Sequence, residues 1–213
     1  MEDITIETGE ASEIKTPSIF DIPGVHRDKV EEFAIYHNVF DANECKDIIE
    51  YYKNNTEPNT SSVGEGNVDK SIRNCTVYQA SPEQQQEDLA FIFERIREVV
   101  VTANQRHFHF DLTGPIEPMQ FLEYNGEDEQ HYIAHSDRDY NTIARKLSLT
   151  VLLSDPEEFE GGELRFPYAR DLKIKPTRGS VLLFPSFTIH EVTPVTKGIR
   201  NSLVMWVAGP SFR

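Results

Sequence analysis

The hydrophobic pattern changes period near residue 107, and no other feature of the chain restricts its fold as much. Before that point, apolar residues recur every three or four positions. Asp41 is a good N-cap for the run ANECKDIIEYYKNN, where Cys45, Ile48, Ile49 and Tyr52 fall at helical spacing. Ser81-Pro82-Glu83 opens a stronger helix, in which Leu89, Ile92, Phe93, Ile96, Val99, Val100 and Ala103 form a stripe suited to core packing. Residues 54–70, rich in Asn, Ser, Gly and Glu, read as an exposed loop between them. After the change, short runs of β-branched and aromatic residues alternate with Gly, Pro, Asn and Asp. They predict strands near 106–112, 116–124, 131–137, 146–154, 162–166, 171–175, 180–184, 188–195 and 200–208. Helices first and many short strands afterwards predict an α+β chain whose later half is an antiparallel sandwich or barrel.

The chain has 213 residues, which suits one domain. The expected organisation is a mobile acidic tail over 1–18 and a single domain over 19–213, with helices mainly at 41–104 and strands mainly at 106–208. Hydrophobic residues make up 38%, including 13 Phe and 8 Tyr, enough to build a core. The opening MEDITIETGE lacks the basic start and apolar run of a secretory signal, and no segment is apolar for the roughly 18 residues of a membrane span. A cytoplasmic protein is therefore expected. A net charge of −15 repels phosphate backbones and anionic lipid, which argues against nucleic-acid and membrane partners. It leaves small anionic ligands open, since a basic pocket can sit inside an acidic protein. Oligomeric state is not legible. Cys45 and Cys75 lie far apart and outside any CxxC pattern, so two free thiols are expected.

The chemistry-bearing residues lie in the strand-rich half. His135-Ser136-Asp137 spaces an imidazole and a carboxylate two positions apart, which on a strand places both on one face. His190 follows in another strand-like run, SFTIHEVTPV. Two His and one carboxylate on one side of a metal leave the opposite positions open, the ligand set of non-haem Fe(II) sites. An HxD pair alone is weak, and His109-Phe110-Asp111 is a competitor. Context favours the first, because Arg200 lies one predicted hairpin beyond His190. A dicarboxylate chelating iron through a 2-oxo acid needs a cation at its far end, and Arg supplies a planar bidentate donor. If Lys197-Gly198-Ile199 forms a three-residue turn, His190 falls opposite Trp206, and His190, Val192, Arg200, Ser202 and Val204 share a face. A two-residue turn would send Arg200 to the other face.

The stretches PMQFLEYNGEDEQHYIAHSD, LSLTVLLSDPEEFEGGELRF, KPTRGSVLLFP and HEVTPVTKGIRNSLVMWV, in that order, resemble the double-stranded β-helix (jelly-roll) dioxygenases that depend on iron and 2-oxoglutarate. Among them they are most similar to the prolyl 4-hydroxylase-like and PKHD-type hydroxylases. The resemblance implies a jelly-roll core with supporting N-terminal helices, with His135, Asp137 and His190 as iron ligands. It implies Arg200 as the partner of the far carboxylate of 2-oxoglutarate, helped by the hydroxyl of Tyr124, and Tyr132 facing the substrate side. The cofactors implied are Fe(II), 2-oxoglutarate and O2, with ascorbate as an auxiliary reductant. The loop between Tyr124 and His135 is longer than is usual in the family.

Other residues carry two readings. Ser202 and Thr150 could donate hydrogen bonds to 2-oxoglutarate or serve as ordinary strand residues. Arg73 matches a polar residue near the family's substrate entrance, although a surface salt bridge is favoured. Gly161-Gly162-Glu163 matches the family's GGEL or is simply a turn and strand start, the plainer reading being favoured for Glu163, and Trp206 reads as core. His131 and His135 form HxxxH without the Glu and helical setting of zinc proteases. The leading expectation is hydroxylation of a peptidyl or protein side chain, with proline the best single choice. The alternatives are hydroxylation of a free amino acid or small metabolite, and a non-catalytic cupin-like binding protein using His107, His109 and Glu117.

Overall fold

Asp41 starts the first helix by a capping box. Its carboxylate accepts from the N–H groups of Asn43 and Glu44, and Glu44 reaches back to the Asp41 N–H. Helix α1 (Ala42–Asn55) then buries Cys45, Ile48 and Tyr52, in a computed structural model that describes residues 6–8, 30–60, 69–139, 141–168 and 174–210. Ser81 caps the next helix through Gln84. The expected single helix is in fact two, α2 (Pro82–Asp88) and α3 (Ala90–Ala103), separated at Leu89, whose backbone leaves helical geometry (φ −113°, ψ 14°). Buried Gln85 ties α2 to Met119, bonding both its N–H and its C=O, while α3 follows the apolar stripe.

The strand predicted over 106–112 does not form. Asn104–Phe108 instead make a π-helical turn, and His109 ends it in the left-handed region (φ 54°). The Asn104 side chain donates to the Phe110 carbonyl and accepts from the Phe110 N–H, so neither group is left for a ladder. The His-Phe alternation imitates strand period, but local hydrogen bonding decides the outcome.

Fourteen strands appear among the described residues: β1 (Ile6–Thr8), β2 (Ala34–Tyr36), β3 (Pro58–Thr60), β4 (Arg73–Asn74), β5 (Thr76–Tyr78), β6 (Gly114–Pro115), β7 (Gln120–Asn125), β8 (His131–His135), β9 (Arg145–Leu152), β10 (Phe159–Gly161), β11 (Leu164–Arg165), β12 (Val181–Pro185), β13 (His190–Val192) and β14 (Val195–Ala208). A large antiparallel sheet runs β1-β2-β12-β9-β14-β7-β5-β3, with β6 and β10 also on β14, and a smaller one runs β11-β13-β8-β4. From β7 to β9 and from β11 to β14, successive strands alternate between the sheets, the winding of a jelly roll. The prediction for 1–18 lies outside the described residues apart from β1, which pairs with β2. Residues 171–173 and 61–68 also lie outside them; Ile174 and Lys175 form no strand, and the expected loop contributes β3. No helix among the described residues is long and apolar enough to cross a membrane.

Side-chain parity sorts the large sheet. On β14, Leu203, Met205 and Val207 enter the core beneath α1 and α3, while Arg200, Ser202, Val204 and Trp206 face an interior cavity. On β7, Phe121 joins that core and stacks on Tyr52, while Leu122 and Tyr124 face the cavity.

The predicted hairpin between His190 and Arg200 is corrected. β13 pairs with β8 and β11 in the small sheet, whereas β14 belongs to the large one, so His190 sits opposite His135 and Trp206 opposite Ser148. Pro194, without an N–H, marks the crossing between sheets. Gly198 is not a turn apex but lies within β14 (φ 71°), where a Cβ would sit 2.1 Å from the Glu158 carbonyl oxygen.

Candidate active site

The cavity between the sheets has a volume of about 470 Å³. At one wall His135, Asp137 and His190 bring one donor atom each to within 4.8 Å of one another, the sole such group of His, Cys, Asp and Glu among the described residues. His135 ends β8 and His190 begins β13, and the two are partners in one ladder. The predicted strand 131–137 stops at His135, and Asp137 lies just beyond it. A register shift places Tyr132 to His135 against only His190 to Val192, a bulge in β8. It turns Tyr132 and His135, three apart, to one side, where their rings stack at 3.5 Å.

Both imidazoles are aimed by their own backbone neighbours. His135 Nδ1 lies 2.8 Å from the Ile133 carbonyl oxygen and His190 Nδ1 lies 3.0 Å from that of Thr188. A carbonyl can only accept, so each Nδ1 carries the proton and the Nε2 lone pair is turned inward. Those Nε2 atoms lie 3.5 Å and 3.6 Å from the two Asp137 carboxylate oxygens. Three electron-rich ends meeting this closely repel one another, and a cation between them would relieve that repulsion. Burial pushes His190 below its ordinary value even though Asp137 pulls the other way, so a proton there is disfavoured. Burial also works to raise the Asp137 carboxyl, but His135 and His190 outweigh it and hold the group below the usual carboxylate range. The donor set and its outer hydrogen bonds fit a divalent cation, and all three residues border the cavity.

The opposite end is basic. Arg200 is 4% exposed, and among the described residues it makes no ion pair; its Nη1 donates to Ser202 Oγ at 3.1 Å. Tyr124, its cross-strand partner, lies beneath the guanidinium, 5.5 Å from ring centroid to Cζ. Burial pushes the Tyr124 hydroxyl far above its ordinary value, and Arg73 and Arg200 offset this only in part. It therefore remains a neutral O–H donor at physiological pH. Thr150 also borders the cavity. Gly162 allows this packing: at φ +62° it touches the Arg200 side chain, and a Cβ would come within 2.8 Å of Arg200 Cδ. The pair Gly161-Gly162 is thus more than a turn. Glu163, which projects to solvent and pairs with Arg165, adds nothing to the cavity.

Arg73 departs from the favoured surface reading. It lines the cavity with its guanidinium 5.0 Å from the Tyr132 ring centroid, because β4 pairs with β8 and sets Arg73 beside Tyr132. Trp206, read as core, is buried and also forms cavity wall, since it shares the parity of Arg200. Arg145 and Phe184 were missed. Arg145 stacks on Trp206 at 3.9 Å, and Phe184 packs 4.5 Å from His190. The strand parity of Phe184 relative to Leu182 could have found it; Arg145 leaves no comparable signal. The competitor pair is not brought together with a metal group, nor are His107, His109 and Glu117. His131 is occupied by the carbonyl oxygens of Glu129 and Ser71. Both cysteines are buried, and no disulfide joins them.

Residues 119–208 match the sequence profile of the 2OG-Fe(II) oxygenase superfamily. A PKHD-type hydroxylase of Pseudoalteromonas atlantica is 32% identical over 135 residues, covering 58% of this chain and 59% of that protein. The alignment thus spans little more than half the length of this relative. A prolyl hydroxylase of Trichoplax adhaerens, solved with a hypoxia inducible factor peptide fragment, shares the fold (TM-score 0.69, 19% identity, 84% of each chain). So does a viral collagen prolyl hydroxylase of Paramecium bursaria Chlorella virus-1, solved as a 2OG complex (TM-score 0.62, 22% identity, 84% of this chain and 97% of that one). Over the matched segment, residues 119–208, the chain is thus similar to the 2OG-Fe(II) oxygenase superfamily, and its fold is that of the two solved hydroxylases.

Proposed function

We propose that the protein is an Fe(II)- and 2-oxoglutarate-dependent dioxygenase that hydroxylates a peptidyl or protein side chain, with proline as the residue modified. The observation that carries this reading is the polarity of one cavity: three converging electron-rich donors at one wall, and a deeply buried guanidinium at the other. His135, Asp137 and His190 would hold iron, which would couple oxidative decarboxylation of 2-oxoglutarate to succinate and carbon dioxide with insertion of one oxygen atom into a C–H bond. Arg200 would hold the far carboxylate of 2-oxoglutarate, with the Tyr124 hydroxyl and Ser202 beside it, and Thr150 on the same wall. Ascorbate would serve as an auxiliary reductant.

Tyr132, Trp206 and Arg73 line the same cavity and would form the substrate side, flat faces and a cation suited to a compact ring within a polar peptide. Prolyl hydroxylases among the structural relatives support that choice. The test is mass spectrometry of proline-containing peptides incubated with the enzyme, Fe(II), 2-oxoglutarate and ascorbate. A gain of one oxygen is expected, dependent on 2-oxoglutarate and lost in Asp137→Ala. Succinate formation no greater than in Asp137→Ala would refute the dioxygenase reading. Turnover of free amino acids but of no peptide would refute the substrate class alone.

A further inference from the structure

Asp137 differs from its two histidine partners in what holds it. His135 and His190 sit in a β ladder, but Asp137 lies in the irregular stretch between β8 and β9, where no ladder bond sets its direction. Its backbone carbonyl instead accepts a hydrogen bond from Arg145 Nη1 at 3.0 Å and lies 3.0 Å from Thr142 Oγ1, whose single proton it shares with Asp139 Oδ1 at 2.9 Å. Thr142 belongs to the same loop, whereas Arg145 opens β9 and is fixed to the large sheet. The guanidinium is itself held on several sides. Its Nε bonds Glu117 Oε1 at 2.7 Å, its Nη2 bonds Glu117 Oε2, and its plane lies over Trp206. Glu117 does not border the main cavity; it lines a separate apolar groove with Phe93, Ile116 and Pro118.

On the reading that His135, Asp137 and His190 hold iron, we infer that Arg145 and Glu117 are positioning residues for the carboxylate ligand. Glu117 fixes the plane of the guanidinium by a two-point contact, and the guanidinium fixes the peptide from which the Asp137 side chain springs. A lysine has the charge but not the fork, so it cannot serve Glu117 and the Asp137 carbonyl in the same geometry. Groups that orient a metal ligand commonly change metal affinity by about 10- to 100-fold.

Trp206 is the only tryptophan of the chain and borders both Arg145 and the cavity, so its fluorescence reports metal binding. The experiment titrates Co(II), a redox-stable substitute for Fe(II), and records the Co(II) ligand-field spectrum at saturation and the thermal melt. Glu117→Gln and Arg145→Lys are expected to weaken Co(II) binding about tenfold and to alter the spectrum. Glu160→Gln, which breaks an exposed pair with Lys197, should leave both at wild-type values. If Glu117→Gln does not fold, Thr142→Val removes the other contact with the same carbonyl and carries the test. Wild-type affinity and spectrum in Glu117→Gln and Thr142→Val would overturn the inference. So would a lowered melt with an unaltered spectrum at saturation, the mark of a role in folding alone. Equal Co(II) affinity in wild type and Asp137→Ala would instead remove the metal-site reading, and this inference with it.

Discussion

Replacing Arg200 by methionine separates binding from folding, because the two should move in opposite directions. The side chain is 4% exposed, and among the described residues no carboxylate neutralises it. Burial pushes its pKa down, with Tyr124 offsetting this in part, yet a guanidinium remains charged at neutral pH. The ligand-free protein therefore carries an uncompensated desolvation cost, relieved only by the bond to Ser202 and the Tyr124 ring. Methionine fills similar volume without the charge. Allowing about 1 kcal/mol for the lost hydrogen bond and about 1 kcal/mol for the cation–π contact, against a desolvation cost of several kcal/mol, a net gain of about 1–2 kcal/mol remains. For a chain of this size that is a rise in Tm of roughly 2–8 °C. Affinity for 2-oxoglutarate should fall, since a two-point charge-assisted contact is worth about 3 kcal/mol, or roughly 100-fold. Trp206 fluorescence with Co(II) present reads the 2-oxoglutarate affinity, and a thermal melt with and without 2-oxoglutarate reads both quantities. Unchanged 2-oxoglutarate affinity, or a melt lowered by several degrees, would refute the reasoning.

Asp137→Ala or His190→Ala should abolish stoichiometric iron after anaerobic reconstitution, as measured by elemental analysis, because two donors cannot replace the three-point set. The adjacent glycines should separate by neighbour. Gly161→Ala sets a Cβ 2.1 Å from the Pro194 carbonyl oxygen at φ +77° and should cost about 2 kcal/mol or more in a denaturant melt, whereas Gly162→Ala, at φ +62°, meets Arg200 Cδ and Val195 Cγ2 at 2.8 Å and should weaken 2-oxoglutarate binding as well as cost about 1–2 kcal/mol. The Cys45 thiol is pushed up to about 12 by burial, so it should resist alkylation at pH 8 until the protein is unfolded. Because the unfolded thiol ionises near 9.0 and the folded one does not, this group should lower stability as pH rises above 9.0, measurable by urea melts compared with Cys45→Ala.

Local grammar in the chain was enough to place α1, its Asp41 cap, and most of the strands after residue 112, because capping and side-chain period act over a few residues and leave their mark there. The donor types His135, Asp137 and His190 and the cation Arg200 were also legible, since their chemistry resides in the side chains themselves. Tertiary structure alone decided how they meet. Sheet pairing set His190 against His135 and carried Arg200 across the cavity on another sheet, a geometry that a hairpin read from spacing did not contain. The bulge in β8, the inward position of Arg73 and the Arg145–Glu117 tie likewise depend on contacts between segments remote in the chain. Parity says which residues share a face, but only the pairing of strands says what that face looks upon.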